Sequence, residues 1–210
     1  VAVAALTAST LEWYDFYIYG TAAALVFGPH FFSGIGAAAG TLAAMATFGV
    51  GFIFRPVGGL LFGHFGDRLG RKRLLVTAMM LMGISTFLIG LLPSYATIGI
   101  ASPLLLVLLR VLQGVAIGGQ YGGAILLVTE SAPAHRRGLY GSFAHIGPSL
   151  AVIVSNVVFL VVANLVSPAA FTSWGWRIPF LLSAIVIAAG LFIQLRITET
   201  ADFQRLREEQ

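Results

Sequence analysis

The chain has 210 residues, of which 58% are hydrophobic and only 10% are charged, and its formal net charge is +4 at pH 7. A soluble domain is typically about half apolar and about one quarter charged, so this composition excludes an ordinary water-soluble protein and predicts that lipid surrounds much of the chain. The absence of cysteine excludes disulfide frameworks, thiol nucleophiles and thiolate metal sites.

Six apolar stretches are long enough to cross a bilayer as helices, because a crossing needs about 20 mostly apolar residues. The first stretch has no basic leader and continues as a full-length helix pattern, which argues against a secretory signal peptide. Residues 1–196 are therefore predicted to form an all-α bundle of six transmembrane helices, followed by a cytoplasmic tail or linker at 197–210. The predicted spans are 3–27, 41–62, 74–92, 103–129, 139–166 and 178–195.

The basic residues indicate how the bundle is oriented. Short connectors that are rich in Lys and Arg stay on the cytoplasmic side of a membrane. Two connectors and the segment after span six carry this charge on one side, whereas the connectors on the other side hold only Arg177. Both termini are therefore predicted to be cytoplasmic, and the positive charge needs no nucleic-acid partner. The residues on the basic side are Arg68, Arg71, Lys72, Arg73, Arg136, Arg137, Arg196, Arg205 and Arg207.

Four charged residues lie inside predicted spans: Glu12 and Asp15 in the first, Arg55 in the second and Arg110 in the fourth. An ionised side chain at the centre of a membrane helix costs about 2.5–3.5 kcal/mol on insertion scales, so such residues face a bundle interior or an aqueous cavity. At about 100° per residue, Glu12, Asp15 and Tyr19 share one helical face. The two acids are therefore predicted to face the interior.

The fourth span has two distinct faces. Arg110, Gln113 and Gln120 share a polar stripe that suits a cavity. Three glycines recur on another face at four-residue spacing, which allows a neighbouring helix to approach closely. They are Gly114, Gly118 and Gly122.

The connector "GHFGDRLGRKR", residues 63–73, is the most specific string in the chain. It resembles the signature loop of the major facilitator superfamily, at the position between spans two and three where that family carries it. "RVLQGVAIGGQYGGA" in span four resembles the family's R-x-x-Q-G pattern. "LEWYDFYIYG", "RPVGGLLFGHFGDRLGRK" and the terminal "ETADF" resemble the metabolite:proton symporters, which include shikimate, 2-oxoglutarate, citrate and proline/betaine carriers.

The resemblance implies one half of a fold that normally has twelve spans in two halves, and it implies a cytoplasmic gate formed by the loop. Two departures matter. Gln120 stands where related carriers often have Glu, and the antiporter signature of span five is incomplete after Gly147 and Pro148, which favours symport. The gate residues that the resemblance implies are Gly63, Asp67, Arg68, Gly70, Arg71 and Lys72.

A proton-coupling hypothesis follows from the four charges. Burial favours the protonated form of a carboxyl group, whereas a neighbouring guanidinium favours the ionised form. Asp15, with Glu12 as a second candidate, is predicted to pair with Arg110 or Arg55 and to bind and release a proton as access to the cavity switches. One alternative is a permanent ion pair that only fixes helix packing. Another is that Arg55, which precedes Pro56, anchors a helix end.

The predicted substrate cavity contains Tyr19, Gln113, Gln120, Tyr121 and His145. His145 is a candidate proton carrier or hydrogen-bond partner of the substrate. A packed, neutral core residue is the alternative for a single histidine in a membrane helix.

The leading functional hypothesis is a secondary transporter, or its N-terminal half, in a bacterial-type cytoplasmic membrane. It would carry a small organic anion or zwitterion by proton symport and alternating access, with a proton gradient, no cofactor and no metal. A second six-helix half, from the same gene or a second copy, is the expected partner. The alternative is a channel-like or non-transporting membrane scaffold. No G-x-S-x-G or H-E-x-x-H motif is present, which argues against an enzyme.

Overall fold

The computed structural model describes residues 2–69, 71–131 and 137–196, and all regular structure within these ranges is helical. The fold class predicted from composition, all-α, agrees with this part of the chain. In chain order the helices are α1 (Ala2–Ala22), α2 (Gly28–Phe31), α3 (Ala37–Ile53), α4 (Arg55–Leu69), α5 (Arg71–Leu91), α6 (Tyr95–Ile98), α7 (Ala101–Ser131), α8 (Arg137–Leu165), α9 (Pro168–Ala170) and α10 (Arg177–Arg196).

Two π-helical turns extend the long helices at one end of the bundle. Ala23–Phe27 joins α1 to α2, and Phe171–Gly175 joins α9 to α10. A 3-10 turn at Ser33–Ile35 then leads into α3 through Gly36, whose φ of 85° is a conformation that side chains with a Cβ rarely adopt. The chain reverses direction at this glycine.

The second helical stretch is broken once, at Phe54, between α3 and α4. The cause is Pro56, which has no backbone N–H and therefore cannot donate to the carbonyl of Phe52. Phe54 itself has φ −89° and ψ −5°, and its N–H still bonds to the carbonyl of Val50 at 3.3 Å. The break is local, so α4 continues toward residue 69 after a bend.

The long helices pack in two groups that share the bundle interior. The first group is α1 with α8 and α10, and the second is α7 with α3, α4 and α5; α10 also packs on α5 and joins the groups. Within the first group, the Tyr14 hydroxyl of α1 donates to the Pro179 carbonyl of α10 at 3.1 Å. The interior between the groups is where α1, α5 and α7 meet.

Along one face, the backbone of α7 approaches the backbone of α3 and α4 closely. A methyl group on Gly114 would collide with the Gly51 carbonyl, and one on Gly118 would collide with the Arg55 carbonyl. A methyl group on Gly58 would likewise collide with the Val115 carbonyl. The close approach predicted for Gly114 and Gly118 is confirmed, while Gly122 lies outside the described side chains. We call Gly51, Gly58, Gly114 and Gly118 the glycine seam.

An aromatic cluster closes the end of the bundle that carries the π-helical turns. Trp176 is fully buried there, with its ring centroid 5.5 Å from Phe27, 5.8 Å from Phe31 and 5.8 Å from Phe180. The neighbouring Trp174 is half exposed. This cluster ties the ends of α1, α2 and α10 together.

The outer faces of the helices are apolar. Large exposed side chains include Leu42, Leu60, Leu104, Ile153 and Leu165. Among the described residues, three helical stretches are long and apolar enough to cross a membrane: Ala37–Gly66, Ala101–Gly119 and Ile146–Leu165. Every predicted span overlaps a helical stretch of the structure, whereas the number of crossings stays a prediction.

Candidate functional site

Four polar side chains meet in the interior, where apolar residues are the norm. Asp15 comes from α1, Thr86 from α5, and Gln113 and Arg110 from α7. They are 3%, 0%, 1% and 1% exposed, respectively. Buried polar groups are costly unless they are hydrogen-bonded, so their partners decide what this group does.

The four side chains form one continuous hydrogen-bonded series. The Thr86 hydroxyl lies 2.8 Å from Asp15 Oδ2, and Gln113 Nε2 donates to the Thr86 hydroxyl at 2.7 Å. Arg110 Nη1 donates to Gln113 Oε1 at 3.1 Å. We call these four residues the polar chain. It links a carboxyl group to a guanidinium through two neutral side chains.

The direction of the polar chain is set at its arginine end. A guanidinium has donors only, so Gln113 must turn its oxygen toward Arg110 and its amide N–H groups toward Thr86. The Thr86 oxygen therefore accepts from Gln113. Its single proton remains for one of two acceptors, Asp15 Oδ2 or the Met82 carbonyl at 3.0 Å.

Aromatic rings surround the guanidinium of Arg110. Its Cζ atom lies 4.1 Å from the ring centroid of Tyr19, 5.1 Å from that of Phe48 and 5.8 Å from that of Phe16. These are cation–π distances, which stabilise a cation away from water. Arg110 Nε is buried and has no hydrogen-bond acceptor among the described residues. This nitrogen lies against Gly51 of α3, where an added methyl group would be 2.8 Å from it.

Tyr19 is held under Arg110 by its own hydroxyl. That oxygen lies 2.6 Å from the Thr47 hydroxyl, which in turn lies 2.6 Å from the Ala44 carbonyl. Because the Thr47 proton goes to Ala44, Tyr19 is the donor of the pair. The ring below Arg110 is thus fixed to α3.

A second charged pair lies beside the polar chain. Glu12 is 5% exposed and interacts electrostatically with the partly buried Arg55. The Arg55 Cζ atom lies 4.4 Å from the ring centroid of Phe52 and 5.4 Å from that of Phe16. Phe16 therefore stands between the guanidinium groups of Arg55 and Arg110. Two acids and two arginines share this interior and are separated by aromatic rings.

Helical spacing explains why these residues meet. Positions 12, 15 and 19 differ by three and four residues, which places them on one face of α1. Arg110 and Gln113 are three residues apart and share a face of α7. This face adjoins the one that carries the glycines, because the Arg110 side chain packs against Gly51 of α3. The glycine seam thereby fixes the direction in which Arg110 points.

Some predicted site residues lie outside this group. Gly63 is exposed on α4, away from the interior. The remaining predicted residues of the gate loop and cavity lie outside the described part of the structure, either as whole residues (Gly70) or as side chains. Their roles stay predictions. They are Asp67, Arg68, Gly70, Arg71, Lys72, Gln120, Tyr121 and His145.

Sequence reasoning missed Thr86, Thr47, Phe48 and Phe16. A signal for Thr86 exists, since Ser85 and Thr86 interrupt an otherwise apolar helix in "LMGISTFLIG". The pattern alone cannot say which of the two hydroxyls faces α1. The structure shows that Ser85 bonds to the Leu81 carbonyl of its own helix, whereas Thr86 reaches Asp15.

Comparison with known protein families gives one match over the whole chain. The family model described as "Sugar (and other) transporter" matches residues 1–210. The chain is 47% identical over 209 residues to the shikimate transporter of Escherichia coli (strain K12), covering 100% of this chain and 48% of that protein. It is 41% identical over 202 residues to the proline/betaine transporter of Salmonella typhimurium (strain LT2), covering 96% of this chain and 40% of that protein.

The fold also matches a solved structure. The proton:xylose symporter XylE of the major facilitator superfamily, bound to 6-bromo-6-deoxy-D-glucose, superposes with a TM-score of 0.85 at 20% identity, over 98% of this chain and 46% of that one. The chain thus spans less than half the length of the proteins that it matches.

Proposed function

This chain belongs to the sugar (and other) transporter family within the major facilitator superfamily, and from that membership we propose that it forms the N-terminal half of a proton-coupled secondary transporter. Its helices would cross a bacterial cytoplasmic membrane six times with both termini inside, as the distribution of Lys and Arg predicts. A second six-helix half would complete the carrier. Transporters of this kind bind substrate near the middle of the membrane, between two halves that rock around the site.

The polar chain is the observation that carries this proposal. Asp15 is buried in the interior and is joined to Arg110 through Thr86 and Gln113. A charge inside a membrane helix is expensive and marks a site of function by default. A carboxylate that can be neutralised by a proton, next to a guanidinium that can be neutralised by an anion, provides both partners of a symport reaction.

A mechanism follows from the charges. With Glu12 and Asp15 ionised, they balance the positive charges of Arg55 and Arg110. A proton on Asp15 leaves one positive charge in excess, and this charge favours the entry of an anionic group near Arg110. The loaded half is then neutral again, and neutrality lowers the cost of moving the site through a closed, dry state.

The substrate class that fits best is a small metabolite with a carboxylate. Arg110 is a buried guanidinium without a directly bonded carboxylate among the described residues, and a carboxylate oxygen is a strong acceptor for a guanidinium. Shikimate and the betaines both carry a carboxylate. The relatives named for their transport therefore suit the same arginine, although the second half of the pocket decides between an anion and a zwitterion.

The test is uptake by the natural full-length protein reconstituted in proteoliposomes, with an imposed pH gradient. Radiolabelled shikimate, 2-oxoglutarate, citrate, proline and glycine betaine serve as the probes. We expect saturable accumulation of at least one probe that is driven by an acidic exterior. Non-saturable flux would indicate a channel, and absence of any flux would indicate a scaffold.

The Asp15→Asn variant separates coupling from binding. It keeps the size and hydrogen-bonding capacity of the side chain but cannot exchange a proton, so gradient-driven accumulation should fall to background while counterflow exchange of the same probe survives. Glu12→Gln is the matched control for the second buried acid. Gradient-driven accumulation that is unchanged in Asp15→Asn would contradict the proposed role.

A further inference from the structure

The Thr86 hydroxyl has three polar neighbours and can satisfy all of them in only one protonation state of Asp15. Its oxygen lies 2.8 Å from Asp15 Oδ2, 2.7 Å from Gln113 Nε2 and 3.0 Å from the Met82 carbonyl. A hydroxyl donates one hydrogen bond and accepts two. Gln113 is already committed as a donor to it, because Arg110 occupies the other end of the amide.

Ionised Asp15 and the Met82 carbonyl are both acceptors for the single proton of the Thr86 hydroxyl. The hydroxyl can donate to only one of them at a time, while the Met82 carbonyl keeps its backbone bond within α5 in either case. The bond to the carboxylate is the stronger one, since hydrogen bonds to charged groups are about twice as strong as neutral ones. In this state all donors of the polar chain point the same way, from Arg110 through Gln113 and Thr86 to Asp15.

Protonated Asp15 reverses the last link. The proton comes from the aqueous phase and binds Asp15 Oδ2, so the carboxylate becomes a neutral carboxyl group and no covalent bond of Thr86 breaks. The carboxyl O–H can then donate to the second lone pair of Thr86, and the Thr86 hydroxyl turns to the Met82 carbonyl. All three neighbours of Thr86 are now satisfied, but the donors converge on Thr86 instead of running to Asp15.

We infer that Thr86 is a positioning residue that couples proton binding at Asp15 to the strength of the hydrogen bond between Arg110 and Gln113. Bonds in a series that all run in one direction polarise one another and strengthen the series. Ionised Asp15 therefore polarises and strengthens the hydrogen bonds of Thr86, Gln113 and Arg110. Protonation of Asp15 removes this polarisation, and the guanidinium can then bind another acceptor. This inference rests on the proposed function, because it explains how the proton and the anion sense each other.

Other titratable or charged groups lie on the helices packed around Asp15. On α1 these are Glu12, Tyr14, Tyr17 and Tyr19, and the neighbouring helices contribute Arg55, Arg110, Arg177 and, with its side chain outside the described part, His145. Thr86 is the side chain of α5 that bonds to Asp15 itself. A substitution at Thr86 thus breaks the link between this carboxyl group and Gln113.

The experiment is infrared difference spectroscopy of the full-length protein in lipid vesicles, comparing acidic with alkaline buffer and using no substrate. The carboxyl C=O band that disappears in Asp15→Asn belongs to protonated Asp15, and the guanidinium band that disappears in Arg110→Lys reports on Arg110. In Thr86→Val, which replaces the hydroxyl by a methyl group of similar size, we expect the Asp15 band to move to higher wavenumber. The pH-dependent guanidinium band should decrease at least twofold.

Two variants distinguish this role from a structural one. Thr86→Ser keeps the hydroxyl and should restore both bands. Ser85→Ala removes a buried hydroxyl from the adjacent position, where it bonds only to the Leu81 carbonyl at 2.7 Å, and should resemble the unmodified protein. Thr86→Ala repeats the test if the valine variant fails to fold.

Three outcomes are decisive. A titrating Asp15 band and a guanidinium band that both stay unchanged in Thr86→Val would overturn the inference and leave the proposed function standing. A spectrum in which no pH-dependent band is lost in Asp15→Asn would overturn the proton role of Asp15 and this inference together. Bands that change in Thr86→Val but equally in Ser85→Ala would reduce Thr86 to a packing role.

Discussion

The glycine seam and the polar chain occupy two faces of the same helix, α7, and they stabilise it in opposite ways. In the seam, Gly114 and Gly118 touch backbone carbonyls of α3 and α4, and no side chain lies between. Such a contact has a single arrangement, because backbone cannot rotate away. In the polar chain, Gln113 and Arg110 bond to side chains whose hydrogen bonds can be reassigned. One face holds α7 in place and the other can change state.

The difference between the two faces indicates where a group that changes conformation can be placed in a membrane bundle. Interiors are closely packed, and a small change becomes a discrete switch only where two arrangements are both satisfied. The Thr86 hydroxyl offers two arrangements, whereas a glycine packed against a carbonyl offers one. The rigid seam also gives the polar chain its geometry, since it fixes the direction in which Arg110 points.

The largest effect is expected from Arg110→Met, which removes the guanidinium end of the polar chain. It leaves the oxygen of Gln113 without its donor and the buried Asp15 without the guanidinium that balances its charge. Removing one partner of a buried charge pair costs about 3–5 kcal/mol. Thermal and denaturant unfolding in detergent would measure this cost. The double variant with Asp15→Asn should lose less than the sum of the two single variants, because the uncompensated charge is gone. Strict additivity would show that the two ends are not coupled.

The next largest effect is expected from Gly118→Val in the seam. The branched side chain would collide with the Arg55 carbonyl, and overpacking of this kind costs about 1–3 kcal/mol. Gly49→Ala is the matched control, because nothing lies within 4 Å of its new methyl group and the change should stabilise the helix by about 0.5–1 kcal/mol. Unlike the cost at Arg110, the cost at Gly118 should not depend on Asp15→Asn. A Gly118→Val variant as stable as the parent would disprove the backbone contact.

The smallest effect is expected from Tyr19→Phe. Tyr19 contacts Arg110 of the polar chain and is also bonded to α3, the helix against which the glycine seam packs. The ring beneath Arg110 remains, while the hydroxyl bond to Thr47 at 2.6 Å is lost, at a cost of about 0.5–1.5 kcal/mol in unfolding free energy. Tyr19→Leu also removes the aromatic face and should cost about 0.5–2 kcal/mol more. Equal stability of the two variants would show that the ring does not support the guanidinium.

Part of this architecture could be predicted from the sequence. Hydropathy located stretches that are helical in the structure, and residue spacing grouped Asp15 with Tyr19 and Arg110 with Gln113. The same spacing predicted that Gly114 and Gly118 meet a neighbouring helix. These features depend only on residue spacing within a single helix, which can be read directly from the sequence.

The contacts between helices could not be predicted in this way. Periodicity gives the face of α5 that is buried but not the helix opposite, so Thr86 was missed and Ser85 looked equivalent. The seam partners Gly51 and Gly58 were missed for the same reason, since both are ordinary small residues within an apolar stretch. Pairing between helices is a tertiary property, and the periodicity of one helix does not assign it.

The break at Phe54 has a mechanical consequence. Gly51 lies before the break and Arg55 and Gly58 lie after it, and α7 contacts the backbone on both sides. A break between two helices can act as a hinge only if the two helices can move independently of each other. Here α7 packs against both α3 and α4. The helix break before Pro56 is therefore fixed and does not act as a hinge, so α3, α4 and α7 should move together as one rigid unit in any motion of this half.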